Sequence, residues 1–351
     1  MQIYESKLYQ EDIKYIASLN LPWEKLNNKA ILISGASGLI GSCFIDTIME
    51  LNKIGMNCKV YALGRNIEKA KERFKYCWDT SLFEFISHDI NEPLIDKGIE
   101  EVDYVIHLAS NTHPIAYATD PIGTITTNII GTKNMLDFAV EKNVTRFAFA
   151  SSNEIYGENR GDTEKFDEDY CGYINSNTMR AGYPESKRCG EALCQAYIQQ
   201  NGLDAVVPRL TRSYGPTMLM SDTKAISQFI RKAICNEDII LKSEGTQYYS
   251  YTYVADAISG LFTILLCGKC GEAYNIADDA SDIRLKDLAK IIADISGNKV
   301  IFELPDELEK VGYSKATKAR LTSDKLKKLG WKAKYSITEG VQRTVDILKE
   351  I

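Results

Sequence analysis

Short apolar segments alternate with longer amphipathic segments through the first half of the chain. Between residues 30 and 150, five apolar runs are predicted strands, with the sequences AILIS, KVYAL, FEFIS, DYVIHLA and RFAFA. Segments with helical spacing of apolar residues separate them, at Leu39–Lys53, Ile67–Tyr76 and Pro121–Lys142. This alternation is typical of a parallel sheet covered by helices on both faces. The sequence therefore predicts an α/β fold, a Rossmann-type doubly wound parallel sheet.

The pattern changes after residue 150, where a polar segment precedes a helix-like run at Ser186–Gln200 and a strand, AVVPRL. We assign residues 29–180 to an NAD(P)-binding core whose sheet continues through about residue 210. Residues 211–351 are assigned mainly to a smaller mixed α/β lobe that binds substrate.

Residues 1–28 precede the first predicted strand and form an amphipathic extension. We expect a single helix around Ile13, Ile16 and Leu19. Its apolar face would pack on the domain surface or on a partner subunit.

A glycine-rich turn joins the first predicted strand to the helix that follows it, with the spacing Gly-x-x-Gly-x-x-Gly. The first glycine permits a tight turn, the second lets the backbone approach a pyrophosphate, and the third allows close helix packing. The helix N-terminus adds unpaired N–H groups. A turn alone does not need three glycines at this spacing. We predict that the loop binds a cofactor phosphate through Gly35, Ser37, Gly38, Leu39, Ile40 and Gly41.

The second predicted strand lacks the carboxylate that NAD-binding sites usually present to a ribose, and has Gly64-Arg65-Asn66 at its end. Arg65 is suited to pair with a 2′-phosphate, which favours NADP over NAD. The alternatives are that it stacks on adenine with either cofactor, or is a solvated arginine that opens a helix. After the third strand, Asp89 and Ile90 are predicted to meet the adenine, although Asp89 in a surface loop is an equal alternative.

A tyrosine and a lysine four residues apart are the candidate pair for proton transfer. The segment Tyr183-Pro-Glu-Ser-Lys187 places both on one face of a helix. An ammonium beside a phenol favours the phenolate and lowers its pKa from about 10 toward neutral pH. Such a tyrosine is a general acid and base for a hydroxyl or carbonyl. The spacing alone is weak, but it gains weight because it follows the glycine loop and the segment Ser151–Gly157.

These motifs resemble the extended short-chain dehydrogenase/reductases, the nucleotide-sugar epimerase, dehydratase and decarboxylase family. The likeness runs from about Ala30 to the end of the chain, and it is most similar to UDP-glucuronate decarboxylases through Glu168-Asp-Tyr170 and Arg180-Ala-Gly-Tyr183. The landmarks are Gly35–Gly41, His107–Ser110, Asn128–Thr132, Ser151–Gly157, Tyr183–Lys187, Arg209 with Tyr214–Pro216, and Tyr253–Asp256.

The resemblance implies a catalytic set of four residues, in which a bound NAD or NADP oxidises a carbon of a nucleotide sugar. Tyr183 is then the base, Lys187 holds the cofactor ribose and tunes Tyr183, Ser152 binds the reacting oxygen, and Glu154 works near the sugar C5. The same resemblance places further residues against the cofactor, namely Leu108, Ala109, Ser110 and Asn128. It also implies a homodimer formed through the helices Pro121–Lys142 and Ser186–Gln200.

Three positions depart from the family pattern and are assigned to the substrate pocket. Asn153 stands where dehydratases usually carry an aspartate, and an amide cannot supply the proton that expels a hydroxyl. Tyr249 replaces an arginine that reaches the substrate, which weakens the decarboxylase interpretation. Arg212 replaces an asparagine, so a cation lost at one wall of the pocket is regained at another.

Composition excludes several other classes. A net charge of −6 over 351 residues gives no basic footprint for nucleic acid. The charged N-terminus is not a signal peptide, and no apolar run approaches the ~20 residues that span a bilayer. The nine cysteines lack the spacing of a zinc site, and His107 and His113 are not metal-ligand candidates, so we predict no metal and a cytoplasmic location.

Four functions remain open from the sequence. The first is a redox-neutral nucleotide-sugar epimerase, decarboxylase or dehydratase. The second is an NADPH-dependent reductase of a nucleotide-activated keto sugar, which Arg65 supports. A non-catalytic cofactor-sensing module is the third, and Ser152, Tyr183 and Lys187 together argue against it. A structural subunit without cofactor is the fourth, and it would leave the glycine loop idle.

Overall fold

The computed structural model describes residues 2–95, 97–112, 114–303 and 317–351. Its strands, β1 to β14 in chain order, are Ala30–Ser34, Lys59–Gly64, Phe83–Ser87, Tyr104–His107, Arg146–Phe149, Ser151–Ser152, Ala205–Leu210, Arg212–Tyr214, Ile239–Leu241, Tyr248–Tyr253, Ala273–Ile276, Asp282–Arg284, Val300–Phe302 and Lys318–Ala319. Its described α-helices, α1 to α11, are Lys7–Ala17, Leu39–Lys53, Ile67–Arg73, Pro114–Thr119, Pro121–Glu141, Gly182–Asn201, Ala225–Ile234, Val254–Cys267, Leu285–Ser296, Asp324–Lys327 and Ile337–Glu350.

The large sheet has eight strands and confirms the predicted fold class. Seven lie in the order β11-β7-β5-β4-β1-β2-β3, and β6 pairs with β7 at the end of that strand. Every pairing in this sheet is parallel. Parallel neighbours require crossover connections, and helices provide most of them here. The carboxyl ends of the strands therefore meet at one edge, where ligands bind in folds of this kind.

Apolar residues fill both faces of the sheet. On one face, Phe44 of α2 stacks on Phe262 of α8 with ring centres 4.1 Å apart. On the other face, Leu136 of α5 and Cys194 of α6 join a buried cluster with Phe147 of the sheet. Burying both faces explains why the strands read as continuous apolar runs.

The smaller lobe is built around a second sheet of four strands, with β10 at its centre. β10 pairs with β12, β14 and β8, and β9 and β13 form a separate parallel pair. The proposed end of the large sheet near residue 210 is wrong, because β11 returns to the large sheet and pairs with β7. The helix α8 carries the chain back to this position, so the chain from 211 onward contributes to both sheets.

The N-terminal extension also differs from the single helix predicted. The helix α1 ends at Ala17, and Leu19 lies beyond it. Pro22 follows closely and disfavours a helical conformation at the residue before it. Asp12 is fully buried and accepts hydrogen bonds from Tyr253 and Arg343, so the extension packs into its own subunit. Among the described helices, none is both long and apolar enough to cross a membrane.

Candidate active site

The glycine turn lies between β1 and α2 and leaves no room for side chains. Gly35 has a φ of 71°, and a Cβ there would come within 2.8 Å of the Ala109 nitrogen. A Cβ on Gly41 would come within 2.4 Å of the Gly35 oxygen. The helix α2 begins directly after Gly38, so its free N–H groups face this turn. This is the cradle that a pyrophosphate requires.

A cleft of about 450 Å³ runs along the carboxyl edge of the large sheet. Fourteen of the fifteen residues predicted to contact the cofactor line it: Gly35, Ser37, Gly38, Leu39, Ile40, Gly41, Arg65, Asp89, Ile90, Leu108, Ala109, Ser110, Tyr183 and Lys187. The cleft suits a dinucleotide, because its phosphate cradle and the Tyr183–Lys187 pair line the same space.

Asn128 is the exception and supports the cleft from behind. Its side chain is buried, accepts a hydrogen bond of 2.7 Å from Ser110 and donates one of 2.9 Å to Ser186. The preceding residue, Thr127, lines the cleft in its place. Adjacent residues on a helix point in different directions, so a motif alone does not indicate which of two neighbouring residues faces the cofactor cleft.

Two cations line the end of the cleft where the sequence predicts the adenosine of the cofactor. Arg65 is exposed there, and Lys69 lies beside it, a residue that the sequence analysis did not select. The Asn66 side chain caps α3 by accepting a hydrogen bond from the backbone nitrogen of Lys69. Lys69 lies four residues after Arg65, and this spacing could have indicated from the sequence that both side chains reach the same part of the cleft. Asp89 also lines the cleft, and its carboxylate accepts hydrogen bonds from the Asn91 backbone and side chain.

Tyr183 and Lys187 project from the first turns of α6 and are both buried. The Lys187 Nζ donates a hydrogen bond of 2.8 Å to the Ala150 oxygen, and burial lowers the pKa of this lysine to about 8. The expected lowering of the Tyr183 pKa is not found in the protein alone. Burial, with the Glu154 carboxylate nearby, raises the pKa of Tyr183, and Ser152, Arg180 and Ser110 offset this only in part.

Ser152 is fixed by its position on β6, where it pairs in register with Leu210 of β7. Its hydroxyl accepts a hydrogen bond of 3.2 Å from the Glu154 nitrogen and bonds to the Tyr183 phenol. The structure therefore brings three of the four predicted catalytic residues, Ser152, Tyr183 and Lys187, together along the cleft.

Glu154, the fourth, is held in an ion pair that the sequence analysis missed. The Arg180 Nη2 donates to both Glu154 carboxylate oxygens, at 2.7 and 2.6 Å. Arg180 lies in the segment that carried the family resemblance, but no spacing rule linked it to Glu154, 26 residues earlier. The contact arises because a short 3-10 helix at Met179–Ala181 leads directly into α6.

A small pocket of about 70 Å³ lies next to the cleft and contains part of the predicted substrate set. Asn153, Glu154, Arg180 and Arg212 line it. Tyr249 is buried, with the Arg212 guanidinium 3.5 Å from its ring centre. Tyr249 therefore supports Arg212, because β8 and β10 are paired strands.

His107 is a core residue at the end of β4. It is buried, with Nδ1 bonded to Ser34 and Nε2 to Thr132, and burial lowers its pKa to about 3. Within the described residues, no group of His, Cys, Asp or Glu could hold a metal ion. His113 lies outside the described residues.

A doubly wound sheet with a phosphate cradle and a buried tyrosine and lysine at one edge defines a nucleotide-cofactor oxidoreductase site. Residues 31–277 match the model of the NAD dependent epimerase/dehydratase family. The chain belongs to this family and is an NAD-dependent enzyme of the extended short-chain dehydrogenase/reductase type.

Curated relatives match most of the chain. The chain is 32% identical over 320 residues to UDP-glucuronic acid decarboxylase 3 of Arabidopsis thaliana, covering 90% of this chain and 87% of that one. It is 31% identical over 329 residues to UDP-glucuronic acid decarboxylase 1 of Xenopus tropicalis, covering 92% and 73%.

Solved structures share the fold at lower identity. The UDP-glucuronic acid 4-epimerase of Bacillus cereus, in complex with UDP-glucuronic acid and NAD, superimposes with a TM-score of 0.78 at 22% identity, covering 92% of this chain and 99% of that one. The dTDP-glucose 4,6-dehydratase of Streptomyces venezuelae, with NAD bound, gives a TM-score of 0.79 at 23% identity, covering 92% and 97%.

Proposed function

We propose that this enzyme acts on a nucleotide-linked uronic acid and removes its carboxylate without net change in the cofactor. The observation that carries the proposal is a pair of unsatisfied guanidinium donors in the small pocket. Its lining contains two arginines, Arg180 and Arg212, and two glutamates, Glu154 and Glu158, of which Glu154 is paired with Arg180. Among the described residues, the Arg180 Nε and the Arg212 Nη1 are buried without a hydrogen-bond partner. Leaving such donors unpaired costs about 1–3 kcal/mol each, so an anionic substrate group is favoured there.

The side chains along the cleft fit the proton movements of this reaction. A bound NAD would supply reversible hydride exchange at a sugar carbon. Tyr183 accepts the proton of the sugar hydroxyl, and Ser152 holds the oxygen in reach of the phenol. When the resulting ketone lies β to the carboxylate, the pair of electrons from the breaking C–C bond moves toward the carbonyl oxygen as carbon dioxide leaves. Glu154 lines the pocket and is the candidate donor of the proton that the new C–H bond needs.

Arg212 supplies the cation that this reaction type uses to hold its substrate. Its guanidinium lies flat on Tyr249, the residue that replaces the family arginine. Stacking on a buried ring limits the freedom of the arginine before substrate arrives. Relatives named UDP-glucuronic acid decarboxylase support the uronic acid, and the fold neighbour named as a 4-epimerase was solved with the same sugar nucleotide.

The test is incubation with NAD and UDP-glucuronate, with products analysed by nuclear magnetic resonance and mass spectrometry. We expect loss of carbon dioxide and no net formation of NADH. UDP-glucose, which lacks the carboxylate, is the matched control and should not be turned over. Arg212→Gln should raise the KM for UDP-glucuronate about tenfold or more, and Arg212→Lys should raise it less. Equal turnover of UDP-glucose, or conversion to the 4-epimer alone, would contradict the proposal.

A second candidate function rests on a different observation. Arg65 and Lys69 both line the adenosine end, and a 2′-phosphate would meet two cations there. This favours NADP and, with it, a net reductase of a nucleotide-activated keto sugar. Stoichiometric consumption of NADPH during turnover distinguishes this reductase from the redox-neutral enzyme.

We also propose a cytoplasmic homodimer. Apolar side chains are exposed on α5, including Ile122 at 75% and Ile130 at 44%, and pairing with a second subunit would cover them. The nine cysteines are all free, as in proteins kept in a reducing compartment. Light scattering should give twice the monomer mass, and Ile122→Glu should lower it.

A further inference from the structure

Three side chains form a stacked layer beside the candidate proton-transfer site. The Tyr117 ring stacks on the Tyr183 ring, with centres 4.9 Å apart and planes inclined by 29°. The Arg180 guanidinium lies over Tyr117, 4.6 Å from the ring centre. Tyr117 is almost fully buried, and only 12% of the Arg180 side chain is exposed. The Arg180 guanidinium and the phenol that is proposed to exchange a proton therefore contact the same buried ring.

The same guanidinium holds the nearest carboxylate. Arg180 bonds to both oxygens of Glu154, and this pair is mostly shielded from water, with 12% and 19% of the two side chains exposed. In surroundings of low polarity, the charge of Glu154 acts on Tyr183 more strongly than it would in water. The two charges act on the phenol in opposite directions, because Glu154 disfavours the phenolate and Arg180 favours it.

Few other groups act on this layer. Ser152 and Ser110 bond to the Tyr183 phenol, and both are neutral. Lys187 lies one turn away on the same helix and donates to the Ala150 oxygen. Asp222 acts on Tyr117 from the lobe, where Lys224 pairs with it at 3.3 Å. Glu154 is therefore the main negative charge beside Tyr183, and Arg180 is the cation that compensates it.

We infer that Arg180 is a positioning residue of the proton-transfer site, which holds Glu154 and neutralises its charge beside Tyr183 so that the phenol can give up its proton during turnover. The inference rests on the proposed acid and base role of Tyr183. Because Arg180 bonds to both carboxylate oxygens of Glu154, it also fixes the position of this carboxylate. An exposed glutamate would not keep one position. Tyr117 completes the cluster, because its ring contacts both the Arg180 guanidinium and the Tyr183 ring.

Loss of Arg180 has a defined effect on proton transfer. Without the cation, the buried charge of Glu154 is uncompensated, and formation of the phenolate requires a higher pH. Removal of the Glu154 charge in the same protein should cancel this change. A residue needed only for folding would lower the rate at every pH and would not be rescued in this way.

The experiment measures the rate of hydride transfer to bound NAD in a single turnover, followed by the absorbance of NADH between pH 6 and 10. It uses whichever nucleotide sugar the wild-type protein oxidises, found with a panel. A different sugar from UDP-glucuronate would then overturn the proposed substrate without touching this inference. Hydride transfer precedes chemistry at C5, so the Glu154 variants remain measurable in this assay.

We compare wild type with Arg180→Met, Arg180→Lys, Glu154→Gln and the double variant Glu154→Gln/Arg180→Met. In Arg180→Met, the rising limb of the plot of hydride-transfer rate against pH should move to higher pH by about one unit or more. This corresponds to a tenfold loss of rate at neutral pH. Arg180→Lys should move it less, and the double variant should return it close to its wild-type position.

Arg188→Gln is the matched control, because Arg188 lies on the same helix but bonds to the Ile155 and Gly172 oxygens. Its profile should keep the wild-type position. A profile that keeps its position in Arg180→Met, or a double variant that stays shifted, overturns the inference. If Arg180→Met does not fold, the Arg180→Lys profile decides in the same way.

Discussion

The Lys187 ammonium donates a hydrogen bond of 2.8 Å to the main-chain oxygen of Ala150. This bond ties the helix that carries Tyr183 to the strand end that leads into Ser151 and Ser152. The lysine is also buried, and burial lowers its pKa to about 8. Its charge is therefore held in place at a cost in folding stability, which is common where a site needs a cation.

Replacing Lys187 with methionine should separate stability from activity. Lys187→Met keeps the volume of the side chain and removes a buried charge, so the thermal midpoint at pH 7 should be unchanged or higher. Because the folded pKa lies below the unfolded value of 10.5, the wild-type protein should gain stability as pH rises from about 8 to 10.5, and the variant should not. Turnover should fall about 10²-fold. A clear drop in the midpoint at pH 7 would contradict burial as the cause of the low pKa.

Tyr183→Phe removes the phenol and keeps the ring that stacks on Tyr117. We expect turnover to fall about 10²-fold or more, because the phenol that exchanges the proton is lost. Cofactor binding and thermal midpoint, measured on the same preparation, should stay close to the wild-type values. Near-normal turnover would remove Tyr183 from the role of base.

Cofactor choice depends on Arg65 and Lys69. If the NADP-dependent reductase is the correct function, titration of apo-protein should give tighter binding of NADPH than NADH, and Arg65→Ala and Lys69→Ala should each reduce the difference about tenfold. Lys71→Ala is the control, because Lys71 is on the same helix and does not line the cleft. Equal affinities in the wild type would leave both cations without a role in cofactor choice.

Acid should destabilise the protein partly through His107. The unfolded chain takes up a proton on this histidine below about pH 6.5, and the folded protein does so only near pH 3. Stability should therefore fall by up to about 1.4 kcal/mol per pH unit through this residue between those values.

Denaturant titrations of His107→Gln from pH 7 to 4 test this contribution. At pH 7 the His107→Gln variant should be less stable than the wild type, and its free energy of unfolding should fall less steeply as the pH is lowered. Ser34→Ala, which removes one partner and keeps the imidazole, should retain the steep slope. Equal slopes in His107→Gln and wild type would assign the acid sensitivity to other groups.

The sequence by itself determined the main strands and helices of the cofactor-binding core and the position of the cofactor cleft, because these depend on local patterns. Apolar runs define β1 to β5, and the glycine spacing marks the turn after β1. The short distance between Tyr183 and Lys187 also needs no tertiary information, since one helical turn fixes it. Twelve of the fourteen cofactor positions in the cleft lie in the segments that follow β1 to β4, which parallel pairing brings to one edge, and Tyr183 and Lys187 lie on α6.

Tertiary structure decided the rest, since it depends on contacts between distant segments. β11 joined the large sheet through pairing with β7, although a long excursion through the smaller lobe separates them. Arg180 reached Glu154, and Arg212 reached Tyr249, through packing that no spacing in the chain encodes. The proton affinity of Tyr183 also depends on burial and on the sum of nearby charges, and both are set only when the chain has folded.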